Sequence, residues 1–446
     1  PMTGFWARGL TAGLAAVGLV FMGAQQAPAQ DAAGGLVADL RFSQRLTWED
    51  DDFYATTGIG LALTSRTRNP SFGLFLDGGL ELGAEGESGV TLADPVLRLT
   101  FGHEAASSAI DLSLRYRESD VDTLFEEDVF GQDVLVFDEG TRKDLSTSLG
   151  FVFGRDAPFG GSLDLGYSTR RYSGTSDPSL LDEDRTSAAL ALRFDIDPRI
   201  RASLRASVAE TDRDGAGRDI RNESLGAGLD LSVTQTLTAG LFLGRTRVVE
   251  SGAGPRSVED GLAYRLSLTE QRPNGTLSGS LVSDIDEVGR RTTARIDRDL
   301  ELRAGRLRAG VGVSEGSDGD LRPLISLGWA QDLPRGSFGI TLDQAFTTDS
   351  DGEEALNSQI ALSWRQELTP LSSLQTGIRL RDTDFLGGAG VDTRKITLDL
   401  VYRHALAGDW DMLGGYTHTL SRQEGASDSR SDEVFIGVEK RVRWRF

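Results

Sequence analysis

The chain closes on DEVFIGVEKRVRWRF, residues 432–446, and the two parities of that stretch differ in chemistry. Val434, Ile436, Val438, Val442, Trp444 and Phe446 fall on one; Gly437, Glu439, Arg441, Arg443 and Arg445 fall on the other. Side chains alternate across a strand, so this segment presents one face to an apolar medium and one to water. Lys440 interrupts the apolar face. A lysine there costs about 2–4 kcal/mol if it lies at mid-bilayer.

The same alternation recurs upstream. Leu36, Leu40, Phe42, Leu46 and Trp48 mark a first strand, and 53–63, 72–82, 97–101 and 110–116 continue the series up to a long break at 118–142. Regular segments then run from 145–153 to 410–420, ahead of the terminal strand. Segments of about ten alternating residues between turn signals describe a transmembrane barrel. The fold class expected is all-β: a single transmembrane antiparallel β-barrel of about 22 strands, within roughly two either way, with both termini periplasmic.

Alternate connections differ in kind. Asn69-Pro70, Ala157-Pro158, Asp197-Pro198, Pro273-Asn274-Gly275, Pro334-Arg335-Gly336, Thr369-Pro370 and Ala407-Gly408-Asp409 are tight, whereas 182–184, 212–219, 314–320, 348–354 and 423–432 are longer and acidic. Short turns at one end and long loops at the other are the barrel arrangement. The tight-turn prolines from Pro158 onward advance in steps near one or two hairpins of roughly 37 residues, so the chain is one repeated unit. Phe101, Phe153, Phe159, Phe194, Trp329, Phe338, Trp364, Trp410, Trp444 and Phe446 lie near tight turns or the C-terminus on the apolar parity, the placement of an interfacial girdle.

At the other terminus, Arg8 precedes an apolar run from Leu10 to Met22, and Ala27-Pro28-Ala29 follows. This predicts a signal peptide over 1–29 and a barrel over 30–446; the run is too short for a membrane helix. There is no cysteine, so disulfides and thiolate metal sites are excluded. A net charge of −21, from 68 acidic and 47 basic residues, argues against a nucleic-acid partner. Three histidines and no nucleophile constellation leave no enzyme reading, since His404 and His418 share the outward parity about 20 Å apart along the wall. No cofactor is expected beyond diffuse Ca²⁺ or Mg²⁺ among the acidic outer loops.

The charged parity supplies the lumen. Arg41, Arg45, Arg115, Arg117, Arg201, Arg205, Arg295, Arg379, Arg381, Arg441 and Arg443 point inward if the parity holds, with carboxylates such as Asp77, Glu81, Asp297 and Asp299 among them. Two readings follow: a ladder of ion pairs that fixes register, or a basic stripe that steers anionic solutes. The 118–142 break mixes Glu118, Asp120, Asp122, Glu126, Glu127, Asp128, Asp133 and Asp138 with leucine, valine and phenylalanine. Such apolar content needs a surface to cover, which predicts a constriction loop folded into the lumen.

With the repeat in view, the terminal strand ending on Phe446 resembles the assembly signal of bacterial outer-membrane β-barrel proteins, with Trp329, Trp364, Trp410, Trp444 and Phe446 as girdle and signal residues. The tight turns and glycine-rich strands resemble the uncharacterised β-barrel porins of proteobacteria. Position makes the 118–142 segment similar to the inward-folding third loop of diffusion porins. The strand count resembles TonB-dependent transporters, but the short span between cleavage site and first strand disfavours a plug and energised import. These resemblances imply the outer membrane of a Gram-negative bacterium. They imply as partners outer-membrane lipids, lipopolysaccharide and the barrel assembly machinery, with oligomerisation compatible. The function expected is a porin-like channel for passive diffusion through an Arg-lined lumen. The alternatives are an exopolysaccharide export barrel and a non-conducting structural or receptor barrel of the cell surface.

Overall fold

The computed structural model describes residues 35–446 apart from 51, 67–68, 83–89, 122–136, 179, 216, 253–254, 349–352 and 387–389. The predicted signal peptide lies outside the described residues. The first eleven strands are β1 (Leu36–Glu49), β2 (Asp52–Arg66), β3 (Ser71–Leu82), β4 (Val90–Glu104), β5 (Ser108–Asp120), β6 (Thr141–Phe153), β7 (Phe159–Ser173), β8 (Glu183–Asp197), β9 (Ile200–Arg213), β10 (Arg218–Ser232) and β11 (Leu237–Gly252). The second eleven are β12 (Ser257–Arg272), β13 (Gly275–Asp286), β14 (Gly289–Leu302), β15 (Gly305–Glu315), β16 (Leu321–Leu333), β17 (Gly336–Thr348), β18 (Glu354–Thr369), β19 (Ser372–Phe385), β20 (Thr393–Ala405), β21 (Trp410–Gln423) and β22 (Ser429–Arg445). Each pairs antiparallel with its chain neighbours, and β1 pairs with β22 from Val37↔Arg445 to Glu49↔Glu433. The Phe446 N–H donates to the Leu36 carbonyl at 2.9 Å, so the seam is bonded to its last residue. Closure leaves no edge strand, which is what a spanning sheet requires in a medium without hydrogen-bonding solvent.

All seven tight turns expected from the sequence lie at the end that carries both termini, where connections run from two to five residues. The opposite end carries the longer connections, up to the one between β5 and β6. Because β5 continues to Asp120 and β6 begins at Thr141, that break is shorter than the 118–142 expected from alternation alone.

One face of the sheet carries large apolar side chains open to the surroundings: Ile296 is 59% exposed, Val311 61% and Leu225 66%. Among the described residues only nine apolar residues are buried, several of them alanine or valine. The described residues therefore form no apolar core; their apolar surface faces outward, as lipid demands. Lys440 lies opposite Trp410, the first residue of β21, with Nζ 5.3 Å from the indole centroid. That puts the ammonium at the tight-turn interface and not at mid-bilayer, so the cost anticipated for it does not arise.

Between β16 and β17 the ladder runs only from Leu327↔Leu342 to Leu333↔Gly336. Pro323 has no N–H to give to a neighbouring strand, and toward the long-loop end the two strands part. The Gln344 side chain partly replaces the ladder, accepting from the Ile325 N–H at 3.1 Å.

Candidate functional site

The inward face is built from charge pairs whose partners are set by register. Arg41 lies opposite Gly60, which lies opposite Asp77; with no side chain on β2 in between, Arg41 Nη2 reaches both Asp77 carboxylate oxygens at 2.6 Å. A Cβ on Gly60 would stand 3.1 Å from Asp77 Oδ2 and 3.3 Å from Arg41 Nε, so glycine is what lets the pair form across a strand. Arg41 also lies directly opposite Arg441, a repulsive pairing in isolation. It is relieved on both sides, because Arg441 donates to Glu439 at 2.7 Å while Arg41 holds Asp77.

Four more of the predicted lumenal arginines have carboxylate partners. Arg443 donates to Asp39 at 2.5 Å, Arg201 to Asp195 at 2.7 Å and Arg295 to Asp297 at 2.6 Å, and Arg379 lies 3.7 Å from Asp399. Arg45 stacks 4.2 Å above Phe435, whose ring fills the space a side chain at Gly415 would need; Arg205 lies 5.6 Å above Phe242 in the same way over Gly226. Arg115 faces Arg98 on β4 and Arg381 faces Gln359 on β18. Arg41, Arg201, Arg295, Arg379, Arg441 and Arg443 thus stand within ion-pair distance of carboxylates.

At the long-loop mouth the ladder becomes a continuous row. Arg117 of β5, Asp144 of β6, Arg170 of β7, Glu183 of β8 and Arg213 of β9 are successive cross-strand partners, alternating in sign. Asp144 accepts from Arg142 Nε at 2.8 Å and from Arg170 Nε at 3.0 Å, and Glu183 accepts from Arg213 Nε at 2.6 Å. Arg142, Asp144, Arg170, Glu183 and Arg213 are all buried. Sequence reading missed all but Arg117. The signal was present, since these charges sit on the inward parity, but they lie at strand ends beyond the apolar belt.

Other mouth segments lean inward. Arg291 of β14 stacks 4.1 Å over Phe346 of β17 and pairs with Glu354 of β18, although two strands separate β14 from β17. In the β13–β14 turn, burial raises the Glu287 carboxyl above its ordinary range. In the β15–β16 loop, a hydrogen bond from Arg322 holds Asp318 down at about 2.

Of the residues expected in a constriction loop, Asp122, Glu126, Glu127, Asp128 and Asp133 lie outside the described residues. Glu118 and Asp120 belong to β5; Glu118 accepts from Tyr116 Oη at 2.9 Å and lies 3.4 Å from Lys143. Asp138 ties its loop to the next one, accepting from the backbone N–H of Asp177 at 2.9 Å and of Ser176 at 2.7 Å. Those bonds hold its carboxyl below the usual range.

Aromatics mark both interfaces. Trp329 contacts Phe338 at 5.3 Å, Phe338 lies opposite Trp364, Trp444 lies opposite Ala38, and Phe446 is 74% exposed. At the long-loop end lies a second, sparser set: Trp48 against Phe53 at 4.9 Å, and Tyr116, Tyr167 and Tyr416, each donating to a carboxylate one step further out. Among the described residues no group of three His, Asp or Glu could hold a metal ion. His418 is bound to Asp432 at 2.9 Å while His404 stacks beside Tyr402, so the two histidines are separate.

No protein-family model matches the chain, and no curated protein matches it. Solved structures do match. The siderophore receptor PiuA from Acinetobacter baumannii aligns with a TM-score of 0.57 at 10% identity, covering 93% of this chain and 82% of its own. The ferric-catecholate import receptor Fiu from E. coli K12 in its open form aligns at 0.58 and 9%, covering 94% and 82%. BauA, the ferric preacinetobactin receptor of A. baumannii, aligns at 0.54 and 9%, covering 90% and 80%. At such identity the likeness is one of fold: this chain is a 22-stranded barrel of the outer-membrane type, and the expected location in a Gram-negative outer membrane stands. The expectation of a passive porin-like channel is overturned. The solved barrels named above are described as receptors, and the lumenal arginines meant to steer solutes are largely engaged by carboxylates and rings.

Proposed function

We propose that the protein is a receptor barrel of the outer membrane, which takes a solute at its long-loop mouth instead of passing solutes through an open pore. What carries this reading is the architecture, a closed barrel of 22 strands aligned over more than nine-tenths of its length with barrels described as siderophore receptors. Fold alone does not assign a ligand. The mouth adds chemistry of its own: a buried row of arginines and carboxylates held at fixed spacing, with hydrogen-bonded tyrosines at the rim. Arg142, Arg170 and Arg213 are buried and paired, so they frame the mouth and do not touch a solute; the ligand class proposed is the one named for a matched receptor, a ferric catecholate. On this reading lipopolysaccharide surrounds the rim, and the terminal strand is the segment the assembly machinery engages.

The test is titration of the purified, refolded protein with ferric enterobactin, followed by quenching of its tryptophans. Saturable quenching that metal-free enterobactin does not reproduce is the expected result. Identical linear quenching by both compounds would remove the receptor reading.

A further inference from the structure

The outward face of β10–β14 is not uniformly leucine-covered. In one cross-strand row Leu231, Ala239, Leu268, Gly279 and Ile296 are successive partners, and in the next Leu229, Leu241, Leu266, Leu281 and Ala294. Small residues between large ones on the first row leave a depression of about 480 Å³ on the lipid-facing surface. Gly279 forms part of its floor, and a Cβ there would meet no atom closer than 3.9 Å, so the space is open and not required for strand packing.

The row one step nearer the tight turns carries charge. Leu237, Glu270, Leu277 and Arg298 are partners in it, and Arg272 follows at the end of β12. Arg272 is neutralised by Glu270 at 2.7 Å. Among the described residues Arg298 has no carboxylate partner: its Nη2 donates to Asn274 Oδ1 at 2.7 Å, and its Nη1 is buried without a hydrogen-bond acceptor. Asn274 is in the β12–β13 turn, so this guanidinium stands at the level where the bilayer's headgroups begin.

An apolar trough in a lipid-facing wall, capped at the interface by a cation lacking an anionic partner, has the form of a phospholipid. We propose that this face binds one phospholipid with an anionic headgroup, its phosphate on Arg298 and an acyl chain along the trough over Ala239 and Gly279. Charge complementarity selects the headgroup, and the phosphate meets the accessible edge of the half-buried Arg298 guanidinium. The trough supplies area but little specificity, because lipid tails and leucine are equally apolar. Preference therefore resides in Arg298, and occupancy in the shape of the floor.

Native mass spectrometry of the full chain in detergent, with phosphatidylglycerol, phosphatidylcholine or inorganic phosphate added, tests this. One phosphatidylglycerol should be retained by the unmodified protein, with phosphatidylcholine bound more weakly and phosphate alone not at all. Arg298→Gln should lower the bound fraction of phosphatidylglycerol by roughly tenfold, the loss of one charge-assisted hydrogen bond. Gly279→Leu, which fills the trough without touching the cation, should lower both lipids alike. Folding of each variant is checked by its heat-sensitive electrophoretic mobility. Folded variants that retain phosphatidylglycerol as the parent does would overturn the proposal. So would a parent protein that covers this face by dimerising and takes up no lipid.

Discussion

Asp144→Leu should lower the stability of the folded barrel by about 3–5 kcal/mol, because it removes the carboxylate that two buried guanidinium groups share. Arg142 and Arg170 would then keep their positive charges with far less compensation in a site closed to water. The size of the effect comes from stranding charge and not from the worth of the pair itself. A variant carrying Arg142→Met, Asp144→Leu and Arg170→Met together should therefore recover much of the loss. The urea midpoint for disappearance of the fast-migrating unheated band on gels reads both effects. Equal midpoints for parent and Asp144→Leu would mean that the mouth row is solvated in solution.

The second large effect separates the two faces of the wall. Val311 is 61% exposed at the middle of β15, and Val311→Arg should cost about 2–4 kcal/mol, the penalty for arginine at mid-bilayer on the lipid face. Thr341→Arg, on the opposite parity of β17, should change stability by less than about 1 kcal/mol, since the new side chain enters a charged lumen. Refolding into lipid vesicles from urea measures both. Similar costs at the two positions would contradict the assignment of faces.

Much of this fold was legible because lipid on one side and charge on the other impose a strict period of two. Val434 to Phe446 gave the closing strand, and the tight-turn prolines fell at one end of the barrel. Partners were less legible. Nothing in one strand's parity says that Arg41 bridges Gly60 to reach Asp77, or that Arg117 opens a row ending at Arg213, because such pairings depend on the register between strands. Lys440 had no fixed depth in the sequence for the same reason: the stagger of β22 against β21, which puts it beside Trp410, is a property of closure. The error in function had a related origin. A count of inward arginines records charge, whereas passive steering requires charge that neighbouring carboxylates leave free, and Asp39, Asp77, Asp195, Asp297 and Glu439 engage it. The outer aromatic set reads as thin because Tyr116, Tyr167 and Tyr416 are few and widely separated in the chain, though each lies on the outward parity.

A receptor barrel and a diffusion channel part most directly in electrical conductance. Purified protein inserted into a planar bilayer under an applied voltage should give a quiet baseline, without uniform ohmic steps, whether the bath holds chloride or a larger anion. Regular, long-lived steps whose size scales with salt concentration would show an open lumen and contradict the account.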